Sequence, residues 1–120
     1  MTDAASLAQR IETIESGYEF MLAYAAQGRE DEQAGGPGPR IRDVLGGIQS
    51  ALDGLAAAVN SEAGDFLAVL EDDAAKACAA VRFVLAQPSI SSQLVDNLNA
   101  SIHVRALLTD LFLLDEAQTN

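Results

Sequence analysis

Apolar residues recur along this chain at spacings of three and four, the period of an α-helix with one buried face. Leu7, Ile11, Ile14, Tyr18, Met21, Leu22 and Ala25 form the first such stripe, and Gly28 is placed to end it. Ile41, Val44, Leu45, Ile48, Leu52, Leu55 and Val59 form the second, with Pro39 close to the first-turn position that proline favours. The third is Phe66, Leu67, Leu70, Ala74, Ala77, Cys78, Val81, Val84 and Leu85; the fourth is Leu94, Val95, Leu98, Ile102, Leu108 and Phe112. No segment alternates as a strand does, and no Asn-Gly hairpin signal occurs.

Three breaks separate the stripes. Gly28 to Pro39 reads GREDEQAGGPGP, a mixture that punctuates helices and offers little apolar area to bury, so residues 28–39 are expected to form a flexible surface loop. Asn60-Ser61 is a weaker stop, which leaves open a continuous second and third helix. Pro88 ends the third helix, and Ser89 or Ser91 can cap the next. The expected fold is therefore all-α, an up-and-down four-helix bundle forming one domain over residues 1–120. Gly46, Gly47 and Gly54, with the alanines of the third helix, point to close interhelical approach.

Composition narrows the function. Eighteen acids against seven bases give a net charge of −11, which argues against nucleic acid or an anionic membrane as partner. No apolar run approaches the length of a membrane span, and the first residues carry no secretory pattern, so a cytoplasmic location is expected. The single cysteine, Cys78, forms no internal disulfide and reads as a small residue at the edge of the core.

Candidate chemistry is sparse. Glu12, Glu15 and Glu19 share one side of the first helix, but no Glu-x-x-His motif accompanies them, so a solvated face is expected and no metal or cofactor. Of Glu71-Asp72-Asp73, at most one can point inward. His103 is the only histidine, and a bundle of this length carrying an exposed histidine resembles histidine phosphotransfer domains in architecture. The lysine and glycine that follow the histidine in that family are missing from His103-Val104-Arg105-Ala106-Leu107. Arg105 falls within the apolar stripe of the fourth helix and is expected either in a buried ion pair, with Asp73, Asp53 or Glu15, or in an anion site.

The last helix has a second apolar stripe, Val104, Leu107, Leu111 and Leu114, opposite the first. Phe83 and Val69 also lie off their own stripe. Such surplus apolar positions mark an interface. Val104, Leu107, Leu111, Leu114 and Phe83 are accordingly the expected interface residues of a homodimer associating through its last helix, with coverage of that stripe by its own chain as the alternative. The function expected is that of a non-enzymatic accessory, adaptor or scaffold protein. Its competitors are an acidic antagonist or chaperone of a basic, nucleic-acid-binding protein surface, and a small-ligand or phosphotransfer bundle using His103 and Arg105.

Overall fold

A computed structural model describes residues 4–32, 40–59 and 63–119. Over these residues the chain is all-helical, with five α-helices rather than four: α1 (Ala4–Ala25), α2 (Ile41–Leu52), α3 (Phe66–Leu85), α4 (Ser92–Ala100) and α5 (His103–Thr119), plus a 3-10 turn at Ala56–Ala58. The additional helix comes from a break in the expected fourth stripe. Ser101 folds its hydroxyl back onto the Leu98 carbonyl, and Ile102 takes a φ of 62°, a left-handed conformation rarely adopted by a β-branched residue. Ile102 then starts α5 by accepting a hydrogen bond from the Ala106 amide at 2.7 Å. This corner rotates α5 relative to α4, and Ile102 itself is left exposed.

The second helix also stops earlier than its stripe suggests. Gly54, at a φ of 74°, turns the chain after Leu52, and Leu55, Ala58 and Val59 reach the core from the turn that follows. Arg10 of α1 holds this end, donating to the Ala51 and Asp53 carbonyls that α2 leaves without amide partners. Helices α2 and α3 are thus separate; Asn60, Ser61 and Glu62, where continuity was in question, lie outside the described residues. The close approach is at Gly17 of α1, where an added Cβ would stand 2.7 Å from the Ile48 side chain. Gly46 faces open space instead, and Gly47 makes only an ordinary contact.

One apolar cluster joins all five helices, from Leu7 and Ile11 through Ile48, Leu70, Val81 and Val95 to Leu111 and Leu114. At the end of the molecule where α1 and α3 finish, a set of polar contacts fastens the connections. Ser92 accepts from the Arg29 amide and donates to the Tyr24 carbonyl, and its own amide donates to the Arg29 carbonyl. The Tyr24 hydroxyl donates to the Ile90 carbonyl at 2.6 Å; burial, partly offset by the nearby Arg29, pushes its pKa upward. Glu32 accepts from the Ile90 amide and from Arg42, whose remaining guanidinium nitrogens cap the Leu85 and Gln87 carbonyls at the end of α3. Burial raises the Glu32 pKa, but these hydrogen bonds outweigh it and hold the carboxyl below its ordinary value. Arg29 to Glu32 are therefore anchored, which corrects the flexible-loop expectation for that part of 28–39; residues 33–39 lie outside the described set.

The short α4 fixes the direction of α5. Ser91 caps it, accepting from the Leu94 amide at 3.0 Å, and nine residues carry it only about 13 Å. Asn99, near its far end, donates to the Met21 carbonyl of α1. Helix α5 therefore starts in the same half of the molecule where α3 finishes and runs back antiparallel to α3, which sets Asp110 beside Asp73.

Candidate functional site

On α3 the core row is Leu70, Ala77, Val81 and Val84. At about 100° per residue, Phe66, Asp73 and Ala80 form the next row toward α5, and all three are half-buried. Outside them lie Val69, Lys76 and Phe83, seven residues apart and on one exposed line. On α5 the core row is Val104, Leu108 and Leu111, flanked by Leu107 and Leu114. Asp110 sits on the α3 side of it, and Ala106 and Leu113 lie beyond Asp110 toward solvent. The α3–α5 face thus carries large apolar side chains in the open: Phe83 at 66% exposure, Leu113 at 57% and Val69 at 45%.

Beneath that surface two carboxyl groups meet. Asp110 is only 7% exposed, and its Oδ2 has no hydrogen-bond donor. Burial, with the hydrogen bond and negative charge of Asp73, raises its pKa from an ordinary 3.8 to about 7. Two carboxylates cannot donate to each other, so the contact is satisfied when one proton is shared between them. Among the described residues Arg42 pairs with Glu32 and Lys76 with Asp72; neither pair places a cation in direct contact with Asp73 or Asp110, although Lys76 stands close enough to feel the charge of Asp73. Lys76 is held one turn away by Asp72, whose hydrogen bond and charge, joined by the charge of Asp73, raise the lysine pKa.

The structure redistributes the residues expected from sequence. Val104, Leu107, Leu111 and Leu114 are buried within this one chain, at 1%, 0%, 0% and 8% exposure, so the expected intersubunit stripe is core. The rotation of α5 at Ile102 explains this, because it turns the second stripe inward and brings Phe112, expected in the core, out to 42% exposure. Phe83 stays exposed. Arg105 moves with the same rotation: it is exposed on α5, so it makes neither the expected buried ion pair nor an enclosed anion site. Its candidate partner Asp73 meets Asp110 instead. His103 is half-buried at the start of α5, and Cys78 is half-buried against the core as expected.

Asp110 went unrecognised because it shares a helical line with His103, opposite the stripe that sequence assigned to the core. The signal available was Asp73, the one member of its acidic triplet able to face inward. Glu12, Glu15 and Glu19 are exposed, and among the described residues no group of three or more His, Cys, Asp or Glu side chains is placed to hold a metal ion. A shallow groove of about 590 Å³ lies between α1 and α2, lined by Glu12, Thr13, Phe20, Asp43 and Val44 among others. Among the described residues no helix is long and apolar enough to cross a membrane. Neither a family model, nor a curated protein, nor a solved structure matches the chain.

Proposed function

We propose that this chain is a non-enzymatic accessory protein that works through protein–protein contact, and that its working surface is the α3–α5 face. The observation that carries the reading is the exposure of Phe83, Leu113 and Val69 on two adjacent helices whose own contact holds an acid pair that makes no direct ion pair. Large apolar groups left in water on neighbouring helices are a feature of surfaces covered by a partner. A cytoplasmic setting belongs to the same proposal.

The test is photo-crosslinking in the native cell with Phe83→p-benzoylphenylalanine, and the same replacement at Glu12 on exposed α1 as control. Protein adducts at position 83 and few at position 12 are expected. Equal labelling at both positions, or none at 83, would contradict the reading. The net charge of −11 favours a second reading, an acidic antagonist or chaperone of a basic protein surface. Under it, adduct formation would fall steeply with added salt at every exposed acidic position.

A further inference from the structure

We infer that the α3–α5 face accepts an amphipathic helix from a partner protein, one that presents a lysine or arginine among apolar side chains. The cation settles at Asp73 above Asp110, and the apolar groups cover Phe83, Val69 and Leu113. This rests on the protein-contact reading and adds the chemistry of the partner.

Three observations select that chemistry. The first is shape: Val69, Lys76 and Phe83 form one line along α3, while Leu113 stands across from it on α5. Between them lie the small side chains Ala80 and Ala106, both half-buried. Together they make one surface running along both helices, apolar at Val69, Phe83 and Leu113 with Lys76 between the first two, on which a helix can be laid. The second is charge. Asp73 is half-buried and reachable from outside, Asp110 lies under it at 7% exposure with Oδ2 lacking a donor, and neither the Arg42–Glu32 nor the Lys76–Asp72 pair bonds to them. A guanidinium or ammonium from outside supplies the cationic hydrogen-bond donors that the pair lacks and adds to the positive charge that Lys76 brings near Asp73. The third is the whole chain: at −11, a second copy would bring like charge and the same acids to the contact, whereas a basic segment is drawn in.

The experiment uses the full chain and a fluorescein-labelled amphipathic peptide of leucine and lysine, with a leucine–glutamate peptide as control, read by anisotropy. Saturable binding of the basic peptide alone is expected. Phe83→Asp should weaken it at least ~10-fold, as loss of a central aromatic contact does. Asp73→Asn should weaken it several-fold. Glu12→Gln removes the same charge from an exposed site on α1 and should leave binding unchanged, which separates a built site from general attraction to an acidic surface. Equal loss in Asp73→Asn and Glu12→Gln, or no saturable binding, would overturn the inference. So would a wild-type dimer in sedimentation that Phe83→Asp converts to monomer, because a second copy would then own the face. Adducts at position 83 in cells alongside failure of the basic peptide would remove the partner chemistry and leave the protein-contact reading standing.

Discussion

Two polar regions of this molecule are built from the same kinds of residue and solved differently. At the end where α1 and α3 finish, Glu32, Arg42, Tyr24, Ser92 and Arg29 complete one another: the carboxylate has an arginine and an amide, the hydroxyls have carbonyls, and the end of α3 is capped. Between α3 and α5, Asp110 meets another acid and keeps one oxygen without a donor. Burial raises the pKa of Asp110 while hydrogen bonding depresses that of Glu32. A satisfied network stabilises and fixes a unique arrangement, whereas an unsatisfied buried group costs stability wherever it persists. The first region holds the fold, and the second is where the proposed partner contact is placed.

That division can be broken most forcefully on α5 itself. Leu107→Asp with Leu111→Asp places two charges where both side chains are 0% exposed, and the domain should lose its helical circular dichroism altogether. A folded, soluble double variant would return these leucines to the surface. Next in size is the polar region near Tyr24. Arg42→Ala removes the ion pair with Glu32 and two carbonyl caps, and should lower stability in urea by about 2–3 kcal/mol; Ser92→Ala should cost about 1–2 kcal/mol. Losses under half a kcal/mol would erase the distinction between the two regions.

The acid pair gives a smaller effect with a definite sign. Because the folded-state pKa of Asp110 lies above its unfolded value, the folded chain binds more protons between about pH 4 and pH 7. Its contribution to stability is greatest below pH 4 and declines as pH rises toward 7, after which it levels off. Between pH 5 and pH 8 the decline should be about 1–3 kcal/mol, and Asp110→Asn should abolish it, gaining stability at pH 8. A wild type as stable at pH 8 as at pH 5 would contradict this. Smaller again, Ile102→Gly should raise stability by about 1 kcal/mol, since glycine takes the left-handed φ without strain. Phe83→Asp should leave stability within about 0.5 kcal/mol of wild type while removing partner contact, because the ring is 66% exposed.

Much of the helical content was legible from spacing alone, and the reasons for the misreadings are local. The stripe of α3 reads correctly from Phe66 to Leu85, because Pro88 punctuates its end and no residue inside it departs from helical geometry. The turn at Ser101-Ile102 left no such mark. It contains neither glycine nor proline, and a β-branched residue is among the last expected to adopt a positive φ. Missing that one corner shifted the phase of everything after it. Read without it, the spacing puts Arg105 and Phe112 inward and favours a partner over the chain's own core for Val104, Leu107, Leu111 and Leu114. Gly54 reads from sequence as a packing position, whereas its positive φ is what ends α2 early. The clasp near Tyr24 was illegible, because Tyr24, Glu32, Arg42 and Ser92 are brought together by folding from three separate stretches of chain.

The central claim is that the α3–α5 contact buries an acid against a second acid with no cation bonded to it, unlike the clasp at the other carboxylate. Carbon-detected NMR titration of the side-chain carboxyls of Asp110 and Glu32 in the same sample tests it most directly. The expected result is a midpoint near 7 for Asp110 and one below the ordinary carboxylate range for Glu32. Midpoints that coincide in the ordinary carboxylate range would show that Asp110 is solvated or already paired, and would contradict the account.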